Sequence, residues 1–510
     1  MKTHADQELQ VIDSRSMTVA SPTAPVRSRT VLRLLAAAGA GSLALASGAS
    51  LGEGKAAVIL PLAVGAGLAL AGLAVSHFSA FVLIMLALRS SVDLAKLSGP
   101  AAGTTESAGA RAFDPSSLLA MLFVVTSALW LAGEYRRTGW SGSRLRLALL
   151  SFVACGFISV VGSAHPATSA VEALRIGSAV AMFVVVEQLA ARPGGVRPIL
   201  LAVYASALVP LALTAFGILS GNPLTESEGD LQRTVGSFSQ SNEYGRYLML
   251  LVLMGVAVLP HVERRLRNAL VVVLGGSSLF LLLTYTRTAL IGTVLGLVVI
   301  GLVHRGRVLL WLLAAAVMAL LVMPSATARF TMLTEDSSTA QSGNSLAWRF
   351  DYWAELLPLA RENPVTGIGL AETQYRTEEQ KQAHNDFLRA FVEMGFLGLG
   401  AHLAMIGALI GTGMRAVRRT ARGTFEHGVA SGFLGSAVAF VVASAASNVF
   451  SSVVVLWYFF AFAALASVLA RVPSVQAMRA TGGGRTPQAQ CPGSGAEAPA
   501  PSKPEPAEWR

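Results

Sequence analysis

Residues 261–307 read HVERRLRNALVVVLGGSSLFLLLTYTRTALIGTVLGLVVIGLVHRGR. Two apolar runs, 268–284 and 287–303, lie between turns that hold Arg264, Arg265 and Arg267 on one side and Arg305 and Arg307 on the other. A tight corner from Thr284 to Arg287 joins them. Each run is long enough to cross a hydrocarbon layer about 30 Å thick as a helix. Lys and Arg gather in cytoplasmic loops. The pair therefore reads as a membrane hairpin with its basic ends inside and its corner outside.

The same reading extends in both directions. Apolar segments fall near 31–50, 55–72, 74–89, 116–133, 145–162, 174–191, 198–220, 245–260, 268–284, 287–303, 308–323, 394–414, 430–447 and 452–470. The stretch 55–89 reads as two short helices or as something less regular, so the count is 12–14. Basic loops recur at 134–146 (Arg136, Arg137, Arg144, Arg146), 192–197 (Arg192, Arg197), 261–267, 304–307 and 415–422 (Arg415, Arg418, Arg419, Arg422). From residue 134 onward every second loop is basic. The alternate loops, 163–173, 221–244, 284–287, 324–383 and 448–452, are then external, and both termini are cytoplasmic. The first run ends in Ala44-Leu45-Ala46 and resembles a cleavable signal. Retention is the reading taken, because removal would upset the parity of the loops.

Composition agrees. Of 510 residues 53% are hydrophobic and 13% charged, with mean hydropathy +0.58, against about 25% charged in soluble domains. The net charge of +10 sits in topological loops, so nucleic acid is not expected as a partner. Cys155 and Cys491 make neither a disulfide framework nor a metal motif. The fold class expected is all-α, a polytopic transmembrane helix bundle with a long, partly helical external loop. Its parts are a disordered N-terminal segment (1–30), N-terminal membrane helices (31–220), a catalytic region (221–414, with the loop 324–383), two last helices (430–470) and a disordered tail (473–510) rich in Pro, Gly and Ala.

The loop 324–383 is too long for a plain connector. A helix capped by Asn344 or Ser345 is expected through Leu346, Phe350, Trp353, Leu357 and Ala360, ending at Asn363-Pro364. After a turn at Gly367-Ile368-Gly369, a second helix from about Ala371 should lead to His384-Asn385. The two would form a cap with one apolar stripe laid on the membrane or the bundle.

Three expected external features carry chemistry. Arg233 stands among hydroxyls and amides in Arg233 to Asn242; Arg287 sits in the corner; His384-Asn385-Asp386 re-enters the membrane, followed by Glu393-Met394-Gly395. Each has a plainer reading. Arg287 can snorkel to lipid phosphates, Arg233 can pair with Glu226, Glu228 or Asp230, His384 can cap a helix, and Glu393 can be an ordinary helix residue. Together, two guanidiniums suit a diphosphate and a histidine suits deprotonation of a hydroxyl. The chain contains no Asp-x-Asp pair of the kind a divalent ion favours.

At these residues the chain resembles the O-antigen ligase and polysaccharide polymerase family of bacterial membrane glycosyltransferases. Residues 233–245 are similar to its Arg, Gly, Phe, Asn pattern, with Ser241 where a proline often stands. Thr284 to Leu290 is similar to its Ser-Arg corner, with Thr286 for serine. Arg349 to Gly398 is similar to its long loop, through Trp353, Asn363-Pro364, Gly367-Ile368-Gly369, His384-Asn385, Glu393, Gly395 and Gly398. The resemblance implies transfer of a glycan from an undecaprenyl-diphosphate carrier to a hydroxyl acceptor, with no metal or cofactor, at the outer face of the bacterial inner membrane. It implies catalytic roles for His384, Arg233 and Arg287, and substrate contacts from Arg233, Arg287, Asn242, Asn385 and Glu393. The partners implied are the lipid-linked donor, a glycan or lipid A core acceptor, membrane lipids, a flippase and a chain-length regulator. A polymerase is the reading preferred, because it serves capsule and exopolysaccharide as well as O-antigen. A ligase to lipid A core is the alternative, and a lipid-linked glycan flippase ranks below both.

The alternation of basic loops is directly testable. Reporter fusions at residues 140, 265 and 420 should report cytoplasm, and a fusion near 340 the outside. A cytoplasmic signal near 340 would overturn the placement of the site.

Overall fold

The computed structural model describes residues 55–91, 115–138, 143–228, 231–304, 306, 346–378 and 380–471. The expectations for 1–30, 31–50, 308–323, 324–345 and 473–510 lie outside the described residues. Among the described residues nine helical segments are long and apolar enough to cross a membrane. Three shorter apolar helices, Gly67–Ser76, Phe78–Ser91 and Val453–Leu469, accompany them. The chain is a multi-pass membrane protein with an all-α helix bundle.

In chain order the helices are α1 (Lys55–Ser76), α2 (Phe78–Leu88), α3 (Pro115–Thr138), α4 (Arg144–Ser159), α5 (Pro166–Ala190), α6 (Val196–Ala205) and α7 (Leu208–Leu219). A two-stranded antiparallel hairpin, β1 (Thr225–Glu228) and β2 (Leu231–Thr234), sets Glu226 opposite Arg233. Then follow α8 (Ser241–Val258), α9 (Arg264–Leu283), α10 (Arg287–His304), α11 (Leu346–Leu356), the single turn α12 (Thr373–Arg376), α13 (Asp386–Arg419), α14 (Phe425–Ala445) and α15 (Val453–Leu469).

The centre is built from α8, α14 and α15, which are buried along most of their length. Small residues allow close approach, as is usual for membrane helices: a Cβ at Gly435 of α14 would lie 2.8 Å from the Gly296 carbonyl of α10. Helices α3, α4 and α9 are peripheral and present Leu129, Leu147 and Val272 outward. An apolar outer surface is what contact with lipid requires.

Without water inside the bilayer, every freed backbone group needs a protein partner. Pro210 lacks an N–H, which releases the carbonyl of Ser206 and breaks the span into α6 and α7. The Ser90 hydroxyl donates to that carbonyl at 2.7 Å. At the basic-loop end of the bundle, Arg146 of α4 donates to Glu187 of α5 at 2.9 Å. Ser467 and Arg471 meet the other oxygen of Glu187 at 2.6 and 3.0 Å, which ties in α15.

The cap differs from expectation in two ways. Helix α11 forms and continues as a 3₁₀ turn, Leu357–Arg361, around Pro358. Its buried face, however, is Trp348, Tyr352, Leu356 and Ala360, while Phe350 is 61% and Leu357 48% exposed. The reason is that α11 packs on Ile368, Ala383 and Val392 with its aromatic side, forming a small core of its own. The second expected helix shrinks to α12. Beyond it the backbone extends at Thr377 and takes positive φ at Gln380 (50°) and His384 (51°). Tertiary bonds override the helix propensity of this segment: the Tyr352 hydroxyl donates to the Lys381 carbonyl, and Trp353 Nε1 donates to that of Ala383 at 2.7 Å.

The cap is held by backbone lying against backbone. Ile368 and Gly369 donate to the carbonyls of Val392 and Glu393 at 3.1 and 3.0 Å, and Phe396 donates to that of Pro364 at 2.8 Å. Helix α13 kinks there at Gly395, with φ 65° and ψ −163°. A Cβ at Gly367 would stand 2.3 Å from the Glu393 carbonyl, and one at Gly395 would stand 2.4 Å from that of Val365. A second clasp joins the cap to the loop between α4 and α5. There Glu372 accepts from the Ser163 hydroxyl and the His165 N–H at 2.5 and 2.6 Å. Burial alone would raise the Glu372 carboxyl, but these bonds, with the His165 ring, hold it below its ordinary value.

Gly395→Ala and Gly367→Ala should each unseat the cap. A strained φ costs a non-glycine residue about 1–3 kcal/mol, and the steric overlap with a carbonyl adds to it. The measurement is thermal unfolding of purified protein in detergent, with Gly400→Ala, which meets no neighbour within 4 Å, as the control. Equal melting of Gly395→Ala and the control would disprove the contact.

Candidate functional site

Arg233 leaves β2 and reaches into the corner between α9 and α10. Its Nε donates to the Thr284 carbonyl at 2.9 Å, and its Nη2 donates to Asn242 Oδ1 at 2.7 Å and Thr286 Oγ1 at 3.3 Å. Thr284 is the C-cap of α9, so the guanidinium satisfies a carbonyl at a helix C-terminus, where positive charge is favoured. Glu226, its cross-strand neighbour, turns elsewhere: Oε2 accepts from the Ser241 N–H and hydroxyl at 3.0 and 2.7 Å. Ser241, in the position where the resembling family often has proline, therefore uses the very N–H that a proline would lack. Gly245 lets α8 press on the corner, since a Cβ there would lie 2.8 Å from the side chains of Thr284 and Thr286. Arg287, half-buried, follows directly as the first residue of α10.

His384 lies where the cap meets the turn between α14 and α15. Asn385, not His384, caps α13: its Oδ1 accepts from the N–H groups of Phe387 and Leu388 at 3.0 and 3.2 Å. The His384 ring instead places Nδ1 3.4 Å from Asn448 Nδ2, in the turn between α14 and α15, with its edge toward Trp348. Asp386 Oδ2 anchors that turn by accepting from the Ser444 hydroxyl and the Val449 N–H, both at 2.9 Å.

Arg246 brings the two halves together. It lies one helical turn after Asn242, on the same face of α8, and its Nη1 donates to Ser452 Oγ at 2.7 Å and to the Asn448 carbonyl at 3.4 Å. Arg233 thus bonds Asn242, and Arg246, one turn further along α8, bonds the carbonyl of Asn448, whose side chain meets His384. Arg349 of α11 donates to the Ala446 carbonyl at 2.9 Å, in the same turn. Burial pushes its guanidinium below the usual arginine value. Lys381 places Nζ 4.8 Å from the centre of the Trp348 ring. Burial, then the charges of Arg349, Arg246 and Lys381, lower His384 from 6.5 to about 4. The ring is therefore neutral at physiological pH.

Glu393 lies away from this chain. It is fully buried, accepting from the Ala371 N–H at 2.9 Å, the Thr373 hydroxyl at 2.7 Å and Arg389 Nε at 2.8 Å. Arg389 continues to Glu172 of α5 at 3.0 Å. This is the scaffold that seats the turn 369–373. Among the described residues, no group of three or more His, Cys, Asp and Glu side chains is placed to hold a metal ion.

Sequence reading passed over Arg246, Arg349, Lys381 and Asn448. Arg246 had a signal, since an arginine within an apolar run is costly and calls for a reason. Asn448 had none, because nothing in a short turn announces what it faces.

Residues 269–403 match the family model described as O-Antigen ligase, a span that includes Arg287, Arg349, His384, Asn385 and Glu393. No curated protein matches the chain.

The charge state of His384 has a consequence independent of any activity. Its folded value, about 4, lies below the ordinary 6.5, so between the two the unfolded chain binds more protons. The native state keeps its full margin above pH 6.5 and loses it as pH falls toward 4. His384→Asn, which tolerates the positive φ, should shrink the loss of melting temperature between pH 6.5 and pH 4. An unchanged loss would mean that the ring is not held neutral.

Proposed function

We propose that this chain, a member of an O-antigen ligase-related family through residues 269–403, moves a glycan from an undecaprenyl-diphosphate carrier to a hydroxyl acceptor without using a metal. The reaction would take place on the outer face of the bacterial inner membrane, with both chain termini in the cytoplasm. The observation that carries this reading is the linked set of groups. A guanidinium is fixed at the α9–α10 corner with Arg287 next along the chain, and Arg246, one turn along α8 from Asn242, bonds the same Asn448 that meets the neutral histidine.

In this mechanism Arg233 and Arg287 hold the diphosphate. The acceptor hydroxyl attacks the anomeric carbon, the bond from that carbon to the diphosphate oxygen breaks, and the electron pair goes to the diphosphate. Two non-titrating guanidiniums stabilise the charge that develops, commonly the largest catalytic contribution. The hydroxyl proton passes to His384 Nε2. That requires Nδ1 to carry the ring proton and to donate to Asn448. With the Asn448 amide turned so that Oδ1 faces Nδ1, this buried oxygen, otherwise without a hydrogen bond, gains one. Asn242 orients Arg233, Asn385 sets the start of α13, and Glu393 fixes the turn beneath the cap. The acceptor in this reading is a second lipid-linked repeat unit, which makes the enzyme a polymerase. A flippase would deliver the donor and a chain-length regulator would limit the product.

Arg233→Ala and Arg287→Ala should abolish transfer while the protein still inserts and folds, and lysine should rescue poorly because it lacks the bidentate fork. Purified enzyme should remain active in EDTA. Complete loss restored by magnesium or manganese would defeat the metal-free reading. His384→Ala and His384→Asn should each lower turnover by about 10² or more, the scale of general-base loss, with donor binding nearly unchanged. An active His384→Asn enzyme would remove the base assignment.

A further inference from the structure

Two buried arginines in this bundle bond carboxylates directly: Arg146 meets Glu187, and Arg389 meets Glu172 and Glu393. Arg246 and Arg349 are treated differently. Their hydrogen bonds go to neutral groups, the Ser452 hydroxyl and the carbonyls of Asn448 and Ala446. The Nε atoms of both are buried and make no hydrogen bond. Arg246 is 5% exposed. Glu243 and Asp386 act on it only at longer range, and Asp386 directs Oδ2 to Ser444 and Val449. Both guanidiniums converge on the turn 446–452 that holds His384, and Lys381 stands close enough to act on the same ring. Two guanidiniums that meet at one turn and bond only neutral groups are an arrangement completed by an anion.

We propose that Arg246 and Arg349 form an anion subsite beside His384 that takes a negatively charged substituent, a carboxylate or a phosphate, on the acceptor sugar. This rests on the reading of His384 as the group that receives the acceptor proton. The donor diphosphate is assigned to the α9–α10 corner where Arg233 is bonded. Arg349 and Lys381 come from the cap, which faces His384. The guanidinium fork accepts carboxylate and phosphate oxygens alike. An anion seated there also opposes the three cations that hold His384 low, so the ring becomes a stronger base once a charged acceptor is in place. Charge recognition is then expressed in turnover as well as in binding. A neutral acceptor would meet a weak base.

The test uses the full chain in detergent with soluble probes: trigalacturonate for the carboxylate, glucose 6-phosphate for the phosphate, maltotriose as the neutral sugar and farnesyl diphosphate for the donor side. Trigalacturonate or glucose 6-phosphate, whichever chemistry the subsite takes, should bind at least tenfold more tightly than maltotriose. Arg246→Gln and Arg349→Gln should each remove that preference while farnesyl diphosphate still binds, which also shows that the variants are folded. Arg233→Ala should do the reverse. The idea fails if acidic and neutral sugars bind alike, or if the preference survives both substitutions. It fails equally if Arg246→Gln and Arg349→Gln lose farnesyl diphosphate and keep trigalacturonate, because the guanidiniums would then serve the donor. Should Arg233→Ala leave farnesyl diphosphate binding intact, the donor assignment falls, and the sugar comparison stands on its own.

Discussion

Two glycines hold the cap in place, each facing a carbonyl of the opposite segment. Gly367 and Gly395 let the turn 364–369 lie against the kink of α13, carbonyl facing the space where a Cβ would be. The kink turns Glu393 so that it can accept from Ala371 and Thr373. Arg389, one turn earlier, then bridges Glu393 to Glu172 and fixes α13 against α5. Beyond the seated turn the backbone is extended at Thr377 and left-handed at Gln380 and His384, and His384 meets Asn448 with φ 51°. The position of the proposed base is therefore a remote result of a steric condition about ten residues further along α13.

The second governing condition is the absence of water as a hydrogen-bond partner inside the bundle. It explains why residues of proposed chemical importance also have structural work. Arg233 closes the C-terminus of α9 through the Thr284 carbonyl, and that duty aims its guanidinium at the corner. Arg246 and Arg349 do the same for the turn between α14 and α15. A guanidinium has five donors, so one or two spent on carbonyls preorganise the rest for a ligand. The arrangement makes these arginines hard to replace even by lysine, which satisfies a carbonyl but cannot keep a planar face turned to the ligand.

Much of this was legible in the sequence, and what was hidden follows a physical pattern. Helix spans, the corner at Thr284 to Arg287 and the turn at Gly367-Ile368-Gly369 are local properties of composition and spacing. The face that α11 buries was misread, because aromatic packing of Trp348 and Tyr352 on the return segment outweighed an aliphatic stripe. The missing second helix of the cap was decided by bonds from Tyr352 and Trp353, more than twenty residues earlier. Glu226 appeared the natural mate of Arg233, and the register does set them opposite, yet the open N-terminus of α8 attracts the carboxylate more directly. Asn448 gains its meaning only where three elements meet.

The distribution of acidic groups gives the site its character. Glu187 fastens the basic-loop end, Glu172 and Glu393 hold Arg389, Glu226 caps α8 and Glu372 clasps the loop after α4. Each of these carboxylates is bonded within the scaffold. Burial and the charges of Arg349, Arg246 and Lys381 act together on His384 and draw it down to about 4. Such a field attracts anions over a distance set by screening, about 10 Å in ordinary salt. It also weakens the proposed base. The same cations cannot both favour binding and leave the base strong while the site is empty. In the proposed subsite, arrival of negative charge would resolve the conflict, since it would satisfy the guanidiniums and lift the imidazole together, so that occupancy of the site and activation of the proposed base would become a single event.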